Sequence, residues 1–191
     1  MIENGFIGSQ SFIPVQYTGM MSKTVRFTRW RLMSAATRRL GEAGTLEGVL
    51  EILRISARAI LRSDGVTVVR REGNMVHYVG EDAIAPLWAG QRFPIATCIS
   101  GVAMMERQSI VIPDIRLDPR VPLNAYLSTF VASMAMAPIG HGEPVAAIGA
   151  YWRSTAPIEE DALTLLDMLA KSASAQAERI HDSRQIRKLA S

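Results

Sequence analysis

Residues 133–152 read SMAMAPIGHGEPVAAIGAYW, which is two nearly continuous apolar runs joined by the short stretch GHGE. Most side chains in both runs are small or aliphatic. A strand that is covered on both faces has this composition, because neither face needs polar side chains. The stretch therefore predicts two central β-strands that are connected by a turn.

Four more short strands are predicted on the N-terminal side of this hairpin. Two β-branched runs flank REGN (71–74), whose glycine and asparagine tolerate positive φ, so these runs predict a second hairpin. A loop rich in Asp, Pro and Asn at 116–126 separates the last of the four strands from the hairpin at 133–152. The predicted strands are VTVVR (66–70), MVHYV (75–79), RFPIA (92–96) and SIVIPDI (109–115).

Apolar residues at three- and four-residue steps predict four helices. The first covers 26–40, and the second follows Thr45, whose hydroxyl can cap its free amides. The third is SGVAMMER with Ser100 as its N-cap, and the last has Pro157 in its first turn. The stripe of the second helix is Leu46, Val49, Leu50, Leu53, Ala57, Ile60 and Leu61, and that of the last is Leu165, Leu166, Leu169, Ala173 and Ile180.

The order of these elements predicts an α/β (α+β) domain with an antiparallel sheet of five to six strands. Regular strand–helix alternation, which a doubly wound fold needs, is missing. At 191 residues the chain suits one domain, which we place at 25–180. Residues 1–24 show neither regular period and predict a loose extension, whereas 181–191 predict a helical tail or a truncated linker.

Charge and composition restrict the partners. The net charge is +3, but six basic residues and no acidic residue lie in 23–39. Such a run could contact nucleic acid or an anionic membrane, but a basic helix face is more often solvated, and we interpret the segment in this way. No zinc-finger or RNA-binding signature accompanies it, so we expect no nucleic-acid partner. No apolar run is long enough for membrane insertion, and the N-terminus lacks a secretory signal pattern. A single cysteine suits a reducing compartment, so we expect a cytoplasmic location.

Several segments in order resemble GAF domains of bacterial signalling proteins. They are DGVTVV at 64–69, SGVA at 100–103 after the FPI strand, VIPDI at 111–115 followed by DPRVP at 118–122, and the hairpin 133–152. The resemblance covers about 45–178. It implies terminal helices on one face of the sheet, and short helices and loops on the other face that form a pocket for a small molecule.

Nine side chains are candidates for lining the implied pocket. Aromatic rings can stack on a planar ligand, and arginine or serine can bind a carboxylate, phosphate or carbonyl group. Competing interpretations remain, since aromatic residues near strands usually belong to the core and Arg120 can brace its own loop through Asp118. The candidates are Tyr78, Trp88, Arg92, Cys98, Ser100, Arg120, Tyr126, Phe130 and Ser133.

Cys98 is the residue whose thiol could carry out covalent or redox chemistry. A helix N-terminus beside it would favour a nucleophile, a bilin attachment point or a redox sensor, whereas a free cysteine is more often a buried apolar residue. In bilin-carrying relatives we expect a Cys-His pair or an equivalent cysteine in a fixed context, but Ile99 follows Cys98. Relatives that reduce free methionine sulfoxide use several cysteines, whereas this chain has one. The histidines are scattered, and no phosphate loop or nucleophile elbow is present. We predict no catalytic residues and no metal site, and the cofactor is unknown.

The resemblance implies a regulatory function. The terminal helices are similar to those that pair in GAF dimers, so we expect a homodimer that binds an unidentified small molecule and acts on an effector domain or a kinase or cyclase partner. The alternative is a ligand-free dimerisation or protein-interaction module. A thiol-dependent redox enzyme or sensor at Cys98 is a third hypothesis. The chain could be a stand-alone protein or a sensory fragment.

Overall fold

The computed structural model describes residues 15–189, which surround one antiparallel sheet. The six strands are β1 (Gly65–Glu72), β2 (Met75–Ala83), β3 (Arg92–Pro94), β4 (Ile110–Ile112), β5 (Ser133–Ile139) and β6 (Ala146–Trp152). Their order across the sheet is β3-β2-β1-β6-β5-β4, and each neighbouring pair is antiparallel. The hairpin at 133–152 supplies β5 and the central β6, so the prediction of central strands is confirmed.

Three long helices cover one face of this sheet. They are α1 (Val15–Glu42), α2 (Leu46–Leu61) and α4 (Glu160–Leu189), while α3 (Ile99–Glu106) lies on the other face. The Thr45 hydroxyl accepts a hydrogen bond from the backbone N–H of Gly48 at 3.1 Å, which confirms the predicted N-cap of α2. The apolar stripes of α2 and α4 are buried against the sheet and form a core that we call the helix-side core. It includes Leu40, Leu53, Ile60, Ile148 and Leu169.

The first and last helices run parallel to each other. Near the start of α4, the Arg26 guanidinium contacts the Asp161 carboxylate at 3.1 Å. Further along α4, the Gln176 side-chain amide donates a hydrogen bond to the carbonyl of Ala43, which lies just after α1 ends. Helix α1 therefore extends by roughly 16 Å before α4 begins, and α4 extends by roughly 19 Å after α1 ends, at 1.5 Å per residue.

A second core lies on the opposite face, between the sheet, α3 and the loop 113–132. We call it the aromatic-side core, and it includes Tyr78, Trp88, Ile99, Met134 and Tyr151. Strand β5 separates the two cores, because Met134 and Met136 point to the aromatic side while Ala135 and Ala137 point to the helix side. Two single 3-10 turns, Ile95–Thr97 and Leu123–Ala125, complete this face.

Several predicted boundaries are wrong. Helix α1 begins at Val15, so part of the expected loose extension is helical, and residues 1–14 lie outside the described residues. Ser100 is not the N-cap of α3, because the helix starts at Ile99 and Cys98 occupies the capping position. Pro157 lies three residues before α4, and the strands predicted at 92–96 and 109–115 are reduced to three residues each. Of the helices in 15–189, none is sufficiently long and apolar to cross a bilayer.

Candidate functional site

Aromatic rings fill the space between the sheet and α3. The ring centroids of Trp88 lie 4.9 Å from Tyr126, 5.5 Å from Tyr151 and 5.7 Å from Tyr78. Phe93 packs edge-on against Tyr78 at 5.5 Å. All of these contacts are T-shaped, which is a favourable geometry for aromatic pairs. Trp88 is therefore the centre of the cluster.

A chain of uncharged polar groups lies beneath these rings. The Tyr78 hydroxyl is 3.1 Å from Ser100 Oγ, and Ser100 Oγ is 3.4 Å from Cys98 Sγ. On the next strands, the Tyr151 hydroxyl is 2.9 Å from Thr67 Oγ1. All five residues are buried. Buried hydroxyl groups are costly unless they are hydrogen-bonded, so these side chains satisfy one another in this closed arrangement.

The titrating members of this chain are neutral near pH 7. Burial raises the pKa of the Cys98 thiol, and it raises the pKa of Tyr78, Tyr126 and Tyr151 well above the ordinary tyrosine value. Cys98 also donates weakly to the carbonyl of Pro94 at 3.7 Å. A protonated, buried thiol is a poor nucleophile. The interior of the site thus offers hydrogen bonds without charge.

The loop that carries Trp88 is held by one carboxylate. Glu81, at the end of β2, accepts hydrogen bonds from the backbone N–H groups of Leu87, Trp88 and Ala89 at 2.8–2.9 Å. The Trp88 indole N–H in turn donates to the carbonyl of Ala125 at 3.2 Å, which connects it to the loop on the far side. Trp88 is therefore positioned from both ends.

The structure brings together five of the nine candidates: Tyr78, Trp88, Cys98, Ser100 and Tyr126. Phe130 is half-buried at the edge of the same core. Arg92 and Arg120 instead pair at the surface with Glu72 at 3.0 Å and Asp118 at 2.7 Å. Ser133 shares the face of Ala135 and donates to the carbonyl of Ser154 at 2.8 Å. As ligand contacts, all nine stay predictions.

Three residues of the site were missed from the sequence: Thr67, Glu81 and Tyr151. Tyr151 occupies a space that Gly149 leaves open, since a Cβ at Gly149 would lie 2.6 Å from the tyrosine hydroxyl oxygen. That glycine within an apolar strand was an available signal for a large neighbouring side chain. Glu81 gave no such signal, because its partners are backbone groups of a loop.

Outside this site, a cleft of about 550 Å³ lies between the β5–β6 turn and α4. Its lining includes His141, Glu178, His181 and Asp182, and His141 Nδ1 is 2.6 Å from Glu178 Oε1. Throughout residues 15–189, no group of three or more His, Cys, Asp or Glu side chains is arranged to hold a metal ion. This cleft therefore gives no metal centre in its present geometry.

Comparison with known families identifies the class of this domain. The sequence model of the GAF domain matches residues 45–176, and the chain belongs to the GAF domain family. This result confirms the resemblance and the α+β fold that it implied. No curated protein matches the chain.

Solved structures share the fold at low identity. The GAF domain of a phosphoenolpyruvate-protein phosphotransferase from Coxiella burnetii is 14% identical, with a TM-score of 0.70 over 84% of this chain and 98% of that chain. A free methionine-R-sulfoxide reductase from Neisseria meningitidis, solved with its substrate, is 13% identical, with a TM-score of 0.69 over 83% and 93%. A bacteriophytochrome from R. palustris is 16% identical, with a TM-score of 0.65 over 83% and 39%. The neighbours thus include signalling proteins and enzymes.

Proposed function

We propose that this chain is a sensory domain of bacterial signal transduction, located in the cytoplasm, that binds an uncharged, planar small molecule on its aromatic side. The observation that carries this proposal is the buried chain of neutral hydroxyl groups under a layer of aromatic rings. Small-molecule sites are mostly apolar and have a few polar groups that fix orientation. A ligand that replaced Trp88 over Tyr78 and Ser100 would find both features. The outward ion pairs of Arg92 and Arg120 favour a neutral ligand over an anion.

The packing supports a path from this site to the last helix. Strand β5 lies between α3 on the aromatic side and α4 on the helix side. A ligand that shifts α3 would press on β5, and β5 would pass the change to α4. Because α4 extends beyond the rest of the fold, its far end is available to an effector domain or to a kinase or cyclase partner.

Trp88 fluorescence tests the ligand proposal. The chain has three tryptophans, so a Trp30→Phe/Trp152→Phe background leaves Trp88 as the reporter. We expect some neutral aromatic metabolite to change the Trp88 emission saturably and to raise the free energy of unfolding by about 2.7 kcal/mol at roughly 100 times its Kd. Tyr78→Phe should weaken binding about tenfold, because it removes the buried hydroxyl that would orient the ligand.

Ser109→Ala removes a surface hydroxyl that contacts Asp167, and this control should leave binding unchanged. If a broad metabolite screen at millimolar concentration gives neither an emission change nor thermal stabilisation, the ligand proposal is wrong. If Tyr78→Phe and Ser109→Ala weaken ligand binding equally, the ligand does not contact the Tyr78 hydroxyl.

A second candidate function is dimerisation through the terminal helices. Phe27 and Trp30 on α1 are 65% and 40% exposed, and Ile186 and Leu189 on α4 are 67% and 88% exposed. Large apolar side chains at this exposure favour contact with another protein surface. A homodimer that pairs these helices would cover them.

Sedimentation of the full chain tests the dimer. We expect a dimer at micromolar concentration, and we expect Phe27→Glu/Trp30→Glu to give a monomer, because burying two carboxylates in an apolar interface is costly. Leu117→Glu, at an 81% exposed position outside the helices, should leave the dimer intact. A monomeric wild type, or dissociation by Leu117→Glu, would contradict this candidate.

The hypothesis of a redox reaction at Cys98 is not part of this proposal. The reductase neighbours share the fold, but the Cys98 thiol is buried and its raised pKa favours the protonated form. We therefore assign Cys98 a contact role beside Ser100. Turnover that disappears in Cys98→Ser would overturn that assignment.

A further inference from the structure

A second, positively charged groove lies at the opposite end of the helix layer from the start of α4. It has a volume of about 240 Å³ and forms where α1 ends and α4 continues past the 43–45 turn. Its lining consists of Ala43, Gly44, Gln176, Arg179, Ile180, Ser183, Arg184 and Arg187. Among the described residues that line it, three carry a positive charge and none carries a negative charge.

The three guanidinium groups lack acidic partners. Arg184 and Arg187 make no ion pair with any residue in 15–189, and the one hydrogen bond of the Arg179 guanidinium goes to the Gln176 amide oxygen at 3.4 Å. Most other arginines near the fold's surface pair with a carboxylate, as Arg116 does with Asp114 at 2.6 Å. Like charges that line one groove repel one another, and a bound anion would reduce this repulsion.

The floor of the groove explains how the arginines are positioned. Ile180 is buried against the helix-side core, and the Gln176 amide is fixed by the Ala43 carbonyl. Arg184 and Arg187 lie one and two turns further along α4, on the same face as Ile180, which α1 no longer covers. Their apolar stems can lie along the helix while both planar heads reach the groove.

The local backbone gives a competing explanation. The carbonyl end of α1 lies beside the groove, and arginines near a helix C-terminus are stabilising on their own. That effect accounts for one nearby cation, but it gives no reason for three guanidinium groups without a carboxylate. Helix α2 begins at Leu46, two residues beyond Gly44, so the positive end of its dipole adds to the attraction for an anion.

We propose that this groove binds a small soluble anion that carries phosphate groups. Arginine recognises phosphate through paired N–H donors, and three such forks match a group with several oxygens. The volume corresponds to roughly eight water molecules at about 30 Å³ each, which is ample for a diphosphate group. Because the groove lies on the extended part of α4, an occupied site would change the charge of the helix that leaves the domain. This site is separate from the aromatic side and does not rest on the function proposed there.

Isothermal titration of the full chain with pyrophosphate tests the inference at constant ionic strength. We expect saturable binding, and we expect Arg184→Gln/Arg187→Gln to raise Kd about tenfold or more, since each charged hydrogen bond is lost. Arg184→Lys/Arg187→Lys retains the charge but removes the planar forks, so it should give an intermediate Kd. ATP in a parallel titration distinguishes a nucleotide from an inorganic source of the phosphate.

The matched control is Lys171→Gln/Arg38→Gln, which removes two charges from exposed helix positions outside the groove. It should bind pyrophosphate as the wild type does, and circular dichroism should show that every variant is folded. No saturable heat at millimolar pyrophosphate would overturn the proposal. Equal weakening by the control would overturn it too, because it would show attraction by overall charge alone.

Discussion

Above pH 10, we expect the free energy of unfolding to fall by about 4 kcal/mol for each pH unit. Burial raises the pKa of Tyr78, Tyr126 and Tyr151, so the folded chain keeps their protons while the unfolded chain releases them near pH 10. The folded state then holds up to three more protons, and each contributes a slope of about 1.4 kcal/mol per pH unit. Their contribution is complete below pH 10 and is lost as pH rises toward the folded pKa values.

Urea unfolding at a series of pH values measures this slope. Tyr126→Phe is the most informative variant, because within residues 15–189 the Tyr126 hydroxyl donates its one hydrogen bond to the Met134 sulfur, at 3.8 Å. It should change stability little near pH 7 and reduce the alkaline slope by about 1.4 kcal/mol per pH unit. Tyrosinate absorbance that rises fully near pH 10 while the chain stays folded would refute the expectation.

Gly101→Ala should destabilise the fold by about 3 kcal/mol or more. A Cβ at Gly101 would lie 1.7 Å from the carbonyl oxygen of Ile95 and 2.5 Å from its carbonyl carbon. The Ile95 backbone cannot retreat easily, because its N–H donates to the Asn74 carbonyl at 2.8 Å. Helix α3 would have to move away, which would also separate Ser100 from Tyr78. The gain in helix propensity, about 1 kcal/mol, is too small to offset the clash.

Gly41→Ala is the matched control for this substitution. Gly41 also lies in a helix, but a Cβ there would meet no atom within 4 Å. We therefore expect a gain of about 0.5–1 kcal/mol from reduced chain entropy in the unfolded state. Urea denaturation measures both changes. If the two alanine variants have similar stability, the close contact between α3 and Ile95 is not as the structure describes.

Local sequence patterns predicted the elements whose causes are local. The run SMAMAPI coincides with β5, and Thr45 caps α2 through a bond to an amide three residues away. Helix α3 was predicted, but its start and its N-cap were wrong, because both Cys98 and Ser100 lie at the beginning of the apolar segment. A contact distant in sequence, the hydrogen bond between Ser100 and Tyr78, decides where the serine hydroxyl points.

The site was harder to predict because its members depend on register and on facing direction. Arg92 pairs with Glu72 only because β3 aligns with β2, which places Arg92 opposite His77 and near the start of that hairpin. Ser133 was assigned to the pocket, yet both faces of β5 are buried, so composition does not show which face a residue occupies. Tyr78, Trp88 and Tyr126 were predictable as members of this cluster because large rings beside a central sheet have few other places to pack, whereas Tyr151 was missed.

The two faces of the sheet are closed by very different lengths of chain. The helix side is sealed by helices of 16 to 30 residues, whereas the aromatic side is held by three-residue strands, 3-10 turns and an eight-residue helix. Short elements with few backbone bonds separate at a lower free energy than the whole domain unfolds. Amide hydrogens around Trp88 and the 113–132 loop should therefore exchange through local opening, while those of β6 exchange only on global unfolding. The domain can then admit a molecule through local opening of its aromatic side, while its helix side remains folded.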